Sequence, residues 1–316
     1  MSAKQDVLLV GRLLIDRYYV LKKFPVRGQD AVITDSFERV GGCTFNAAAT
    51  IKNLGGDPLI LSPVCADERG EWIKSTLHRR GFKDTLLYPM DGTTEYCVVL
   101  LDSEGERTFL TYSGSQFLLT DDMMQAALQA RPAYTHLSGY SLIEYENAGR
   151  IITLLEKLKA VGSRIFFDPS PLCREINPDV LRNVLTLADV FCPNKIELQA
   201  IEEYLNLEED LTAPASLVGG RLVVVKDGVR GATAFSTEGS LFVPSFPMES
   251  VDGTGAGDSF AGGLLFALSK NYDLKSALQL ASACGALTAR VLGPQADFNL
   301  AETGNLIQQN LENRNA

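Results

Sequence analysis

This chain of 316 residues predicts a doubly wound α/β fold: a mostly parallel central sheet flanked by helices, with a small β-sheet beside it. Three observations point there. Hydrophobic residues make up 46% of the chain and charged residues 22%, enough apolar side chain to fill one large core. Short apolar runs alternate with helical patterns, the rhythm of a sheet covered by helices. Two stretches, 31–40 and 93–112, break that rhythm with extended patterns and read together as one small sheet.

The elements follow in order. Val7-Leu8-Leu9-Val10 is the first strand, and a helical pattern over 45–54 follows Gly41-Gly42. A strand at 58–64 and a helix at 71–80 come next. Pro25 with Gly28, and Asp91-Gly92, suit joints into the two extended stretches. Within the second stretch, the polar Ser103-Glu104-Gly105-Glu106 predicts a hairpin turn. The βαβα rhythm then resumes, with helices at 121–130, 148–161 and 178–187 and strands at 134–137, 164–167, 190–192 and 222–225. Short strands at 232–236 and 241–243 precede two long helices, 256–270 and 274–292, rich in Ala, Gly and Leu. At about 100–200 residues per domain, the pattern fits a single domain over 1–316, with about 12–40 and 91–113 standing apart as the small sheet.

Charge and composition narrow the function. A formal net charge of −10 opposes binding to nucleic acid or anionic lipid. No run of roughly 18 apolar residues occurs, so no membrane span is expected. The apolar run at 7–10 is too short for a signal-peptide core, which predicts a cytoplasmic protein. Six cysteines are widely spread with no C-x-x-C pair, the pattern of reduced, interior thiols. Any phosphate must be held by local geometry, not by a basic surface.

The segment Val251-Asp-Gly-Thr-Gly-Ala-Gly-Asp-Ser-Phe260 offers that geometry. A glycine-rich turn runs straight into a helix, so the amides of Gly255, Ala256 and Gly257 can converge on one anion, which the helix dipole also favours. A tight strand-to-helix turn would use the same glycines. Asp258 breaks the tie: a carboxylate on the first turn beside an anion cradle can take a proton from an attacking hydroxyl.

Asp252-x-Thr-Gly-Ala-Gly-Asp-Ser-Phe260 resembles the C-terminal signature of the ribokinase-like (phosphofructokinase-B type) carbohydrate kinases, and further motifs follow the family's order. Gly11 and Asp16 fall where the family places an early Gly and a sugar-binding Asp. Gly41-Gly42-Cys43-Thr44-Phe45-Asn46 resembles its Gly-Gly-x-x-x-Asn sugar-binding stretch, Asn194-Lys-Ile-Glu197 its Asn-x-x-Glu motif, and Lys226-x-Gly228-x-x-Gly231 its nucleotide loop. The resemblance covers essentially the whole chain. It implies ATP and Mg²⁺, with Glu197 acting on Mg²⁺ indirectly and Asn194, Lys226, Gly228 and Gly231 at the nucleotide. It implies Asp16, Gly41, Gly42 and Asn46 at the acceptor, and K⁺ near Asp252 and Gly293.

Each motif also has a plainer reading. Asp16 could be a solvated loop residue, Gly41-Gly42 with Asn46 a turn and N-cap, Asn194 with Glu197 a capping pair, and Lys226 a surface lysine. The small residues around Cys284 suit either an adenine ring or close helix packing. Arg107, in the hairpin, and Asp168-Pro-Ser170, after a central strand, are further candidates facing the same cleft.

Two departures from the family pattern bear on the substrate. Gly253 stands where the family usually has Thr. Cys43-Thr44-Phe45 replaces a Lys-Gly-x, which removes a cation that could grip a sugar phosphate, so an uncharged sugar or sugar-like alcohol is expected. A nucleoside kinase of the same fold and a catalytically silent sugar-binding paralogue are the alternatives; a dinucleotide dehydrogenase lacks its G-x-G-x-x-G after the first strand. The apolar strands of the small sheet predict a lid that also forms a homodimer contact.

Overall fold

The computed structural model describes residues 6–82, 85–103, 106–114, 118–207, 214–219 and 221–315. The large sheet holds β1 (Val7–Val10), β4 (Leu59–Cys65), β5 (Thr85–Met90), β8 (Tyr134–Ser138), β9 (Arg164–Asp168), β10 (Val190–Phe191), β11 (Leu222–Lys226), β12 (Gly231–Ser236) and β13 (Gly239–Pro244). Its order is β13-β12-β11-β10-β9-β8-β1-β4-β5. From β5 to β11 every pairing is parallel; β12 and β13 close one edge antiparallel. The small sheet holds β2 (Leu14–Leu21), β3 (Ile33–Gly41), β6 (Tyr96–Leu101) and β7 (Arg107–Tyr112), in the order β3-β2-β6-β7.

The chain leaves β1 towards β4 on one side and later fills β8 to β11 on the other. The strand order therefore reverses between β1 and β8, where open α/β sheets form a crevice at the carboxyl ends of their strands. Gly11, Asp168 and Lys226 all end up at that rim.

Alternation along the strands builds a core on each face of the sheet. Val7 and Leu9 join one cluster, with Ile60, Phe166 and Val224; Leu8 and Val10 join the other, with Leu61, Ile165, Phe167 and Val223. The first is covered by α1 (Cys43–Asn53), α2 (Glu68–Arg79), α7 (Ala256–Ser269) and α8 (Leu274–Ala289). The second is covered by α3 (Asp121–Ala130), α4 (Tyr145–Ala160), α5 (Pro178–Leu187) and α6 (Lys195–Tyr204). A last helix, α9 (Leu300–Asn315), adds Ile307 to the first face.

The small sheet departs from the expectation in one respect. The stretches 31–40 and 93–112 do share a sheet, but β2 lies between them, carrying Asp16 on a strand and not on a loop. β6 and β7 pair antiparallel as the hairpin predicted; Glu104 and Gly105 of its turn lie outside the described residues. β5 was not legible either, because Pro89 interrupts its apolar run; an edge strand tolerates that proline.

A buried hydroxyl cluster locks the helices that carry the glycine turn. Ser259 Oγ shares a 2.8 Å hydrogen bond with Thr50 Oγ1 of α1, accepts from Thr288 Oγ1 of α8 at 2.8 Å, and donates to Cys284 O at 3.2 Å. Ser259→Ala takes the acceptor of Thr288 Oγ1 out of the core, while Thr50 Oγ1 keeps Asn46 O at 3.3 Å, so the expected loss is about 1–3 kcal/mol of stability, read by denaturant unfolding. Unchanged unfolding would show that the cluster contributes nothing.

Candidate active site

The glycine turn is pinned at both ends. Val251 and Asp252 donate their amides to Ala289 O at 2.8 and 3.1 Å, fixing the turn to the end of α8. Gly255 has φ +73°, and a Cβ there would lie 2.1 Å from Pro294 O; only glycine fits both demands. α7 begins at the next residue, and its first i→i−4 bond runs from Ser259 N to Gly255 O at 2.8 Å. The Ala256 amide is drawn 3.3 Å to Gly253 O, so of the predicted cradle Ala256 is engaged in the turn itself. The Gly257 and Asp258 amides stand ahead of the helical ladder, where orphan donors and the helix dipole favour an anion.

Asp258 sits on that first turn and joins two distant parts of the chain. Its Oδ2 accepts from Asn46 Nδ2 at 2.7 Å. Asn46 Oδ1 in turn accepts from Gln295 Nε2, which also donates to Val40 O at 2.9 Å. Asn46 lies inside α1, whose N-cap is Gly42, so the N-cap reading of Asn46 does not hold. Burial raises the Asp258 carboxyl above its ordinary value, Asn46 opposes that, and Asp168 adds to it.

Opposite Asp258 lies a buried ion pair. Lys226 Nζ donates to Asp168 Oδ2 at 2.9 Å, each side chain 12% exposed, so the solvated-lysine reading fails. Burial alone would lower the ammonium; Asp168, with Cys192 and Glu197, overrides it and holds Lys226 above its ordinary value. Lys226 Nζ also lies 3.7 Å from where a Cβ of Gly257 would stand, placing the cation against the first turn of α7. Asn194 and Glu197 form a complete capping box at the start of α6, with both bonds 2.8 Å. Glu197 is nonetheless buried; burial first, then Asp168, raises its carboxyl against the pull of Lys226.

The small sheet brings its own carboxylate over the turn. Asp16 is buried, and a Cβ on Gly41 would fall 1.8 Å from its Oδ2, which explains the glycine at 41. Gly42, with φ +91°, lets the chain turn into α1. Burial, then Asp258 and Asp252, pushes the Asp16 carboxyl up to about 7. Arg107 reaches from β7 to Asp252 Oδ1 at 3.3 Å. A Cβ on Gly253 would lie 2.6 Å from Arg107 Nη1, so the guanidinium fills the space left by that glycine. Asp252 also accepts from Thr254 N and Oγ1 at 2.9 and 2.7 Å and from Gly293 N at 3.0 Å.

Three predicted nucleotide contacts have structural reasons of their own. Gly228 has φ +55° and Gly231 φ +127°, and a Cβ on Gly231 would strike Val243 O at 2.2 Å. Cys284 has no exposed surface, and its Sγ lies 2.9 Å from a Cβ position on Gly263. Cys284 thus packs α8 on α7, in line with the close-packing reading of the small residues around it.

Sequence reading passed over Tyr140, in the turn after β8, with 40% of its surface exposed. Burial, together with Cys43 and Asp258 close by, raises its phenol above the ordinary value. It also passed over Gln295, whose partners are more than 200 residues away in the chain.

A profile described as "pfkB family carbohydrate kinase" matches residues 4–300. Fructokinase-1 of Zea mays is 28% identical over 309 residues, covering 92% of this chain and 94% of that protein. A putative ribokinase II from E. coli, solved in complex with ATP and Mg²⁺, superposes with a TM-score of 0.76 at 24% identity over 96% of this chain and 99% of its own. The Methanocaldococcus jannaschii nucleoside kinase gives 0.80 at 19% identity over 98% and 100%. With a family match across nearly its full length and the fold of those kinases, the chain belongs to the pfkB family of carbohydrate kinases.

Proposed function

We propose that this protein transfers the terminal phosphoryl group of ATP to a hydroxyl of a small uncharged sugar or sugar-like alcohol, with Asp258 as general base. One observation carries the reading: a carboxylate with a raised pKa stands on the first turn of α7, beside free-standing amides and the Lys226 ammonium. The acceptor hydroxyl gives its proton to Asp258 as its oxygen bonds to phosphorus and the bond from phosphorus to the ADP oxygen breaks. The backbone amides of Gly257 and Asp258 and the Lys226 ammonium stabilise the charge spread over the phosphoryl oxygens. Asp16 accepts from neighbouring hydroxyls and fixes the acceptor, and Asn46 orients Asp258.

Mg²⁺, when bound, neutralises phosphate oxygens. Glu197 is the carboxylate that would act on it indirectly: burial first, then Asp168, raises its carboxyl, and a nearby cation would favour its charged form, whereas Asp168 is already paired with Lys226. Asp252 fits K⁺ less well, since Arg107 already supplies a positive charge there. The small sheet acts as a lid over the acceptor within a single kinase domain. Its exposed Val32, Ile33, Leu110 and Tyr112 suit a second copy of the lid in a homodimer. Tyr140 favours a second reading, a nucleoside acceptor, because an exposed aromatic near Asp258 can stack on a base.

An ADP-release assay across sugars, polyols and nucleosides tests this. Turnover of a sugar supports the first reading, turnover of nucleosides alone the second, and none at all would leave a silent paralogue. Because kcat/KM reports ionisations of the free enzyme, it should fall as pH drops through about 7, where Asp16 takes up its proton. Asp16→Asn should raise the acceptor KM and remove its share of that limb, leaving the part due to Asp258, whose carboxyl is also raised. A parental KM in this variant would remove Asp16 from the acceptor site.

A further inference from the structure

Among the described residues the chain passes between the small sheet and the main body at four places: residues 11–13, the Gly41–Gly42 junction, residues 91–95 and residues 113–114. All four meet at Arg12. Its Nη1 donates to Glu95 Oε1 at 3.0 Å, in the third segment, and to Ser113 O at 3.5 Å, in the fourth. Its Nη2 donates to Glu144, the N-cap of α4 in the main body. Its carbonyl oxygen lies 3.1 Å from a Cβ position on Gly42, in the second segment.

The partners of Arg12 are held as well. Glu95 O accepts from Ile15 N at 3.1 Å, tying the third segment to β2 next to Asp16. Thr94 donates its amide to Asp67 Oδ2 at 2.7 Å, at the start of α2. A narrow cavity lined by Arg12, Thr93, Thr94 and Glu95 runs alongside. Arg12 Nε and Glu95 Oε2 are a buried donor and a buried acceptor that make no hydrogen bond among the described residues. Burial pushes the Glu95 carboxyl up to about 7 even though Arg12 pulls the other way.

We propose that Arg12 is a positioning residue for phosphoryl transfer: it sets the angle at which the small sheet, and with it Asp16 and Arg107, lies over the glycine turn. The proposal rests on the reading that this sheet covers the acceptor. A guanidinium suits the task because its planar fork bonds several partners at once in fixed directions, which an ammonium does not.

Arg12→Met alone leaves Glu95 buried without its cation and can fail to fold, so the informative variant is Arg12→Met with Glu95→Gln. Its acceptor KM should rise and its kcat fall, each about tenfold, as expected for a misplaced binding group, while the KM for ATP stays within about twofold. Arg12→Lys, which keeps the charge but not the fork, should fall between the parent and the double variant. Amide hydrogen exchange, which needs no turnover, should speed up about tenfold in β2 and β6 of the double variant and stay parental in α7. Parental kinetics in the double variant would overturn the proposal, as would equal changes in both KM values. Unchanged exchange in β2 and β6 would overturn it even if no acceptor were ever found, and an inactive parent with faster exchange would count against the kinase reading alone.

Discussion

Asp258→Asn should lower kcat by about 10²–10⁴-fold while the protein stays folded and still gains thermal stability from ATP with Mg²⁺, the usual contribution of a positioned base. The substitution keeps the shape of the side chain, and the amide oxygen can still accept from Asn46 at the 2.7 Å site. What it removes is the lone pair that receives the proton. Steady-state ADP release with a thermal melt on the same sample reads both halves of the expectation. Turnover within a few-fold of the parent would assign the base elsewhere, and a collapsed melt would mean that Asp258 acts mainly through the fold.

Gly255→Ala should be the most damaging single change in the turn. The φ of +73° disfavours any side chain, and the new Cβ would lie 2.1 Å from Pro294 O, a backbone atom that cannot swing aside. The expected loss is about 1–3 kcal/mol from the strained backbone, plus a fall in kcat on the order of 10²-fold as the first-turn amides shift. Gly257→Ala is the internal control for stability, because its Cβ would meet only the end of the Lys226 side chain, at 3.7 Å. Its melt should match the parent. If the two variants melt alike, the conformation of Gly255 is not what holds the turn.

The parallel sheet was legible because its strands are continuous apolar runs between amphipathic helices. The helix over 121–130 agrees to the residue, opened by a Thr120 cap. β2 was not legible, since Asp16, Arg17, Tyr18 and Tyr19 mix charge and aromatics without clean alternation, and their burial depends on β3 and β6 beside them. α9 was missed for a similar reason: it is polar along most of its length, and its place depends on Ile307 meeting the main core.

At the candidate site, local chemistry was readable and partnership was not. By itself the sequence determined where the backbone must turn and which groups stand at the turn: glycines at 41, 42 and 255, a carboxylate one turn into α7, and a capping pair at Asn194 and Glu197. These are requirements of a few consecutive residues, written in consecutive letters. Only the tertiary structure decided that Asn46 meets Asp258 across 212 residues, that Arg107 meets Asp252 across 145, that Lys226 pairs with Asp168, and that Cys284 packs helices. A hydrogen bond or ion pair depends on a separation of a few ångströms, and between remote segments that separation is set by how the two sheets and their helices pack, which the spacing of letters along the chain does not encode.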